Sequence, residues 1–401
     1  MSLNGVVNIE DLHQLAKKRL PKIAFDFIEG GVEDERALET NRAAFHKHQL
    51  LPRYLVDVSK RDQSQTIFGR KFNSPFGISP TGTAGLFRRG ADLMLAEAAR
   101  EANIPYIQSG GSNDSMEAAA KVAPHNTWYQ LYAARDGKIS EDLVRRAADC
   151  GLEGLVLTVD VPVRPRRERN IRNGFAAIRG TWLKAALSLK PAILAEAMQH
   201  PGWIWEYVSH GGTPNLDNWK PYAKPGATVD EIVDLFGTNT PAHAQTWREL
   251  ETYRKLFPRN LIVKGLMNPS DAIRAADIGC EGIIVSNHGG RNMDSAAASL
   301  DVLPEIAEAV GDKMTLILDS GVRRGSDIVK ALALGAKAVL TGRATLNGTA
   351  VGGEAGALRA INILTNEADK TMAYTGCRTV DEVSSDIFWG YREGNRLMGA
   401  A

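Results

Sequence analysis

Cysteine is scarce: the 401-residue chain has only Cys150, Cys280 and Cys377, and no two of them form a Cys-x-x-Cys pair. A disulfide framework is thereby excluded, and isolated thiols in a reducing compartment are expected. No His, Cys, Asp and Glu residues fall at metal-ligand spacing, so no metal is expected. Charge of one sign is also lacking, the net being +1, which gives no basis for a nucleic-acid partner. No apolar run approaches the ~20 residues that span a bilayer. Met1-Ser-Leu-Asn-Gly-Val6 offers no basic segment leading into an apolar one, so no secretory signal is inferred and a cytoplasmic location is expected. No Gly-x-Gly-x-x-Gly run follows a first strand, which argues against a Rossmann dinucleotide site.

What is present supports a large core, with 44% hydrophobic and 24% charged residues. From about residue 75 short apolar runs alternate with helical patterns. The expected strands are Phe76–Pro80, Tyr106–Ser109, Thr127–Leu131, Leu155–Val159, Leu261–Lys264, Gly282–Val285, Thr315–Leu318 and Ala338–Leu340. Each is followed by a helix candidate, so the pattern predicts an α/β fold of the (β/α)8 TIM-barrel type. The chain is read as a single domain with an N-terminal helical cover over 1–74, a barrel over 75–375 and a tail over 376–401.

A long insertion, about 170–255, follows the fourth strand and is far longer than the ~2–6 residues of an ordinary connection. It leaves from the face where barrels carry their active sites. Within it, Trp182, Trp203, Trp205 and Tyr207 accompany Leu183, Leu187, Leu189, Ile193 and Leu194, with Arg179, Lys184 and Lys190 adding positive charge. Two readings fit this stretch, about 180–208. One is an amphipathic element at a membrane surface, placing the protein peripherally at the inner face of the cytoplasmic membrane. The other is packing against the barrel or an oligomer partner.

The strand ends converge on one barrel face, and their residues carry the chemistry. Ile284-Val-Ser-Asn-His-Gly-Gly-Arg291 delivers a titratable base, His288, beside two glycines and a cation, Arg291. Asp160, at the end of the fourth strand, is the carboxylate available to orient that imidazole. Gly321, Arg323, Gly342 and Arg343 follow the seventh and eighth strands, where barrels often bind phosphate. Lys264, at the end of the fifth strand, needs a negative partner. Asp160 or Asp319 would serve, as would an electron-rich cofactor ring such as the N1–O2 edge of a reduced flavin.

Taken together these residues resemble the FMN-dependent L-2-hydroxy acid dehydrogenase and oxidase family. The likeness runs from Leu20-Pro-Lys22 to Thr375-Gly-Cys377 and is most specific at Ser286-Asn-His-Gly-Gly-Arg291, Leu318-Asp-Ser-Gly-Val-Arg-Arg-Gly325 and Trp128-Tyr-Gln-Leu-Tyr132. The resemblance implies FMN as cofactor and oxidation of an L-(S)-2-hydroxy acid to the 2-oxo acid, with His288 as base paired to Asp160. It implies that Arg291, Tyr132 and Arg167 bind the substrate carboxylate and that Lys264 faces the flavin. Thr81, Gly82, Ser109, Gln130, Thr158 and Ser286 would lie along the flavin ring. Asp319, Gly321, Arg323, Gly342 and Arg343 would hold the ribityl phosphate. A homo-oligomer, commonly a tetramer, is implied as well.

Three positions depart from the common pattern. Phe27 stands where the family has a carboxylate-binding tyrosine, and it has no hydroxyl to donate. Gly111 stands where glycolate oxidase-like members carry tryptophan, which opens room for a larger or aromatic acid such as mandelate. Gly82 replaces an alanine common in oxidases and favours a dehydrogenase that passes electrons to a quinone or another carrier. The alternatives are an oxidase that uses O2 and releases H2O2 and, more distantly, a phosphate-binding barrel isomerase or aldolase in which Lys264 forms a Schiff base.

Overall fold

The structure, a computed structural model, describes residues 3–390. Eight parallel strands close into a barrel in chain order: β3 (Phe76–Ile78), β4 (Tyr106–Gln108), β5 (Thr127–Leu131), β6 (Gly154–Thr158), β7 (Asn260–Lys264), β8 (Gly282–Val285), β9 (Thr315–Leu318) and β10 (Ala338–Thr341). The apolar runs form strands because both faces are covered, the outer by helices and the inner by side chains of the other strands. Ile107, Trp128, Val156, Ile262, Ile284 and Ile317 fill the barrel axis.

The barrel floor is an element absent from the sequence reading. Strands β1 (Gln65–Ile67) and β2 (Arg70–Phe72) form a hairpin whose turn residues, Phe68 and Gly69, have φ of 49° and 78°. Such left-handed pairs match the twist of a two-residue hairpin. Phe68 points into the barrel and packs edge-on against Trp128 at 5.5 Å. A Cβ on Gly282 would sit 2.7 Å from the Phe68 ring, which explains the glycine opening β8. The floor is thus apolar, and the polar site lies at the opposite end.

Three N-terminal helices, α1 (Ile9–Arg19), α2 (Lys22–Glu29) and α3 (Arg36–Lys47), precede the hairpin. Pro21 caps the start of α2 and Gly30 its end. The carbonyls at that end face the site, as described below. Asn41 of α3 exchanges paired side-chain hydrogen bonds of 2.8 Å with Asn287, just past β8. The helical cover therefore lies over the end of the barrel that carries the site.

The insertion after β6 is mainly helical, and its last helix, Trp247–Leu256, buries Leu250 and Tyr253 and leads directly into β7. That helix is the barrel's own outer helix, so the inserted part ends before it, earlier than the pattern predicts. Trp203 and Tyr207 are buried, and the Trp203 indole donates to the Leu86 carbonyl at 2.8 Å. Trp182, Trp203 and Tyr207 form one ring cluster. On the other side Leu183, Leu187 and Trp205 are 69%, 81% and 73% exposed. Three of the four aromatics of this stretch, Trp182, Trp203 and Tyr207, pack inward as the packing reading expects, while Leu183, Leu187 and Trp205 leave an apolar face open. No helix among the described residues is long and apolar enough to cross a membrane. The tail expected over 376–401 lies partly outside the described residues.

Candidate active site

A cavity of about 520 Å³ opens at the ends of the barrel strands. His288 lines it just beyond β8, in the left-handed region with φ 58°, followed by Gly289 and Gly290 at 65° and 73°. Three such residues in a row turn the chain sharply and aim the imidazole inward. Side chains hold the turn: the Ser286 hydroxyl accepts from the His288 N–H at 3.0 Å and the Ser320 hydroxyl from the Gly289 N–H at 2.9 Å.

His288 Nδ1 lies 2.9 Å from Asp160 Oδ1, and Nε2 lies 3.3 Å from the Tyr132 hydroxyl. Burial, the largest influence, pushes the imidazole below its ordinary pKa; Asp160 opposes this, while Lys264 and Arg167 add to it. The ring is therefore neutral near neutral pH and able to take a proton, with Asp160 placed to stabilise the imidazolium.

Lys264 is buried beneath the same cavity. Its Nζ donates to Ser286 Oγ at 2.6 Å and pairs with Asp319 Oδ2 at 3.1 Å. Burial alone would depress the lysine, but the carboxylates of Asp319 and Asp160 hold it above its ordinary value. Of the two carboxylates considered from sequence, Asp319 makes the contact. Ser79, which sequence reasoning did not single out, also donates to Asp319 Oδ2, at 3.1 Å.

Arg291 is anchored differently from a free carboxylate clamp. Its Nη1 donates to the carbonyls of Phe27, Ile28 and Gly30 at 2.8, 3.3 and 2.8 Å, at the negative end of α2. Its guanidinium carbon sits 5.2 Å over the Phe27 ring, which stacks in turn on Phe175 at 4.3 Å. Phe27 thus steadies the arginine through its π face. Nε and Nη2 make no hydrogen bond among the described residues. Burial, then the charges of Arg167 and Arg343, press the Arg291 pKa well below its usual value, a penalty that an anion in the cavity would relieve. Arg167 lines the same wall, its Nε 3.3 Å from the Arg291 carbonyl.

At the far end Gly321, Arg323, Gly342 and Arg343 line the cavity together. Burial, with Arg343 beside it, pushes Arg323 down to about 10. Gly321 has φ 91°, and a Cβ there would meet the Asn41 carbonyl at 2.5 Å, so only glycine fits. Glu29, the last residue of α2, lies beside these arginines. Burial would raise its pKa, but a His13 hydrogen bond and the charges of Arg343 and Arg323 bring it to about 2.

Between these ends Thr81, Gly82, Ser109 and Thr158 line the cavity. Gln130 stands behind Ser109, its Oε1 accepting from Ser109 Oγ at 3.2 Å and from Gly110 N–H at 3.1 Å. Gln130 Nε2 and Thr158 Oγ1 are buried with no protein partner. A buried donor without a partner is costly, so both are suited to the polar edge of a bound ring. Asp160 and Ser286 support the wall from behind, through His288 and Lys264.

Gly111 lines the cavity, but the room it leaves is shared: a Cβ there would lie 3.3 Å from Cζ of Phe236, which reaches over from the insertion. No periodicity or motif marks Phe236 in the sequence, because its role arises only from the way the insertion folds back.

A sequence model described as FMN-dependent dehydrogenase matches residues 16–390. The (S)-mandelate dehydrogenase of Pseudomonas putida is 39% identical over 386 residues, covering 96% of this chain and 94% of that one. A peroxisomal (S)-2-hydroxy-acid oxidase of Oryza sativa subsp. japonica is 36% identical, covering 99% of both. Among solved structures, one described as the monotopic membrane protein (S)-mandelate dehydrogenase superposes with a TM-score of 0.90 at 37% identity, covering 97% of this chain and 100% of that chain.

Proposed function

The chain belongs to the FMN-dependent dehydrogenase family, an oxidoreductase of 2-hydroxy acids, and on that premise we propose that it oxidises a bulky, apolar or aromatic L-(S)-2-hydroxy acid to the 2-oxo acid. The cavity suits FMN. Gln130 and Thr158 offer unpaired donors for the ring edge, alongside Thr81, Gly82 and Ser109. Gly321, Arg323, Gly342 and Arg343 offer close backbone approach and two buried cations for the phosphate, while Asp319 steadies Lys264. When bound, FMN takes up the two electrons released at the alcohol carbon.

The protein's own groups do the rest. Arg291 binds the substrate carboxylate through the nitrogens left free of α2, with Arg167 and the Tyr132 hydroxyl alongside. Because Phe27 has no hydroxyl, carboxylate binding rests on these three. His288 accepts the proton released as the alcohol becomes a carbonyl, and Asp160 stabilises the resulting imidazolium. The Lys264 ammonium stabilises negative charge that develops on the ring side of the cavity. The observation that carries this reading is His288, neutral and held between Asp160 and Tyr132, in a cavity also lined by Arg291 and Arg167. Initial rates with (S)-mandelate, (S)-lactate and glycolate test the substrate class: mandelate should give the highest kcat/KM, and a preference for glycolate would overturn it.

Electrons leave, in this proposal, to a quinone or similar membrane carrier rather than to O2. Two observations support that direction. Gly82 stands where oxidases of the family commonly carry alanine, and the insertion turns an apolar face of Leu183, Leu187 and Trp205 outward. Such a face suits peripheral contact with a lipid surface. The matched oxidase keeps direct O2 use as the second reading. Stopped-flow mixing of the substrate-reduced protein with O2, and separately with a soluble quinone, distinguishes them: faster reoxidation by O2 would favour the oxidase.

A further inference from the structure

We infer that Phe236, on the insertion helix Val229–Asn239, is the specificity-determining wall of the substrate's side-chain subsite, and that Gly111 and Phe236 form a compensating pair sharing one volume. The inference deepens the reading above and rests on it. It starts from the contact at Gly111. An ideal Cβ there would lie 3.3 Å from Cζ and 3.7 Å from Cε1 of Phe236, so bulk removed from the β4 loop is supplied by the insertion.

The ring sits close to the reacting groups. It lies edge-on to Tyr132 at 6.4 Å, and the Tyr132 hydroxyl is the partner of His288 Nε2. Cavity-lining residues of the insertion include the apolar Ile178, Leu216 and Val233; of the cations there, Arg179 is paired with Asp234 and Arg164 donates to the Thr240 carbonyl, while the carboxylate-binding Arg291 lies on another element. A subsite so bounded accepts an apolar or aryl substituent on the hydroxyl-bearing carbon, because a charged one would lose its water without gaining a partner.

The wall is fixed rather than loose. Trp219 backs the ring at 5.1 Å, is buried, and donates from Nε1 to the Gly110 carbonyl at 3.0 Å. Asn218, also buried, accepts from the Met116 N–H at 2.9 Å and donates to Ser112 Oγ at 3.0 Å. At the other end the Arg135 N–H donates to the Asn239 carbonyl at 2.9 Å. Phe236 is thereby tied to the loops after β4 and β5 that carry Gly111 and Tyr132. Its position follows the barrel and not the insertion's exposed face.

The test compares wild type with Phe236→Ala, Phe236→Leu, Gly111→Ala and the double variant Gly111→Ala/Phe236→Ala. Each is assayed with 2-hydroxy acids of graded side chain from lactate to ring-substituted mandelates. Binding of the matching 2-oxo acids is read separately from the perturbation of flavin absorbance. Shortening Phe236 should shift kcat/KM toward the largest acids relative to lactate by about 10-fold or more, a size typical of small steric changes in an apolar pocket. Gly111→Ala should weaken aryl acids in the wild-type background and do so far less when Phe236 is alanine. Leucine retains an apolar wall should the alanine variant fold poorly. Unchanged ratios in both Phe236 variants with full flavin content would overturn the inference, as would effects at the two positions that simply multiply. Wild-type flavin that no 2-hydroxy acid reduces would overturn the functional reading itself, a separate and distinguishable result.

Discussion

Nδ1 of His288 lies 2.9 Å from Oδ1 of Asp160, a contact joining the ends of two barrel strands that are adjacent to β7 on either side. Tyr132 takes up the opposite nitrogen, so the imidazole is held at both ends. Asp160 acts on the rate by orienting the ring and stabilising its cation, and on the pH profile by raising the His288 pKa.

Asp160→Asn should therefore have two separable effects. Substrate oxidation should slow by about 10²- to 10⁴-fold, the range for a positioned acid–base group. The acid limb of kcat/KM should move as well. His288 works when neutral, and burial already holds its pKa below the usual 6.5, so activity in wild type should fall only as pH drops beneath that value. Removing the one influence that raises it moves the limb lower still. Measuring kcat/KM from pH 5 to 9 checks this; a limb that moves upward contradicts the assignment.

Lys264→Met should cost stability as well as rate. It leaves Asp319 buried beside an apolar side chain, and breaking a buried pair from one side typically costs about 3–5 kcal/mol. Lys264→Met/Asp319→Asn should recover much of the stability, read by denaturant unfolding, but not the rate of flavin reduction. Recovery of both would mean that Lys264 serves only the fold.

Glu29 lies beside the proposed phosphate end with its carboxyl at about 2 instead of 4.5. A depressed acid stabilises the fold fully above its unfolded value, and that contribution is lost as pH falls through the folded one, here between 4.5 and about 2. Its size is on the order of 3 kcal/mol. In Glu29→Gln the apoprotein should melt lower at pH 7, with the gap from wild type closing toward pH 2. FMN should bind several-fold more tightly, because the phosphate no longer faces a carboxylate. Titration of apoprotein by flavin fluorescence quenching checks this, and weaker binding contradicts it.

The open face of the insertion gives a prediction independent of catalysis. Leu183→Ser/Leu187→Ser/Trp205→Ser removes exposed apolar side chains without touching the buried Trp203 and Tyr207. Sedimentation with phospholipid vesicles should fall several-fold while kcat/KM with a soluble acceptor stays unchanged. Equal vesicle binding by both proteins removes the membrane proposal.

The barrel strands are legible in the sequence because each is a short apolar run ending abruptly in polar residues, as Leu261-Ile-Val-Lys264 does. His288, Asp160, Lys264 and the paired glycine–arginine ends are legible for the same reason. The hairpin β1–β2 is not: its strands are three residues each, and Arg70 and Lys71 disguise a segment whose Phe68 and Phe72 plug the barrel. Phe236 and Glu29 are illegible because their neighbours come from distant elements. The segment around Trp182 misleads in another way, since composition cannot tell which tryptophans of an amphipathic stretch turn inward. Arg291 is legible as a cation at the strand end, but its hydrogen bonds to the end of α2 depend on where the N-terminal cover lies.

The most direct test of the central claim is anaerobic mixing of the purified protein with (S)- and (R)-mandelate and (S)-lactate while flavin absorbance is followed. A protein that carries FMN bleached by the (S)-acids, fastest by mandelate, and a His288→Gln variant that retains its flavin but bleaches about 10²-fold or more slowly, is the expected result. A purified protein without flavin, a flavin that no 2-hydroxy acid bleaches, or a His288→Gln variant bleached at the wild-type rate would contradict it.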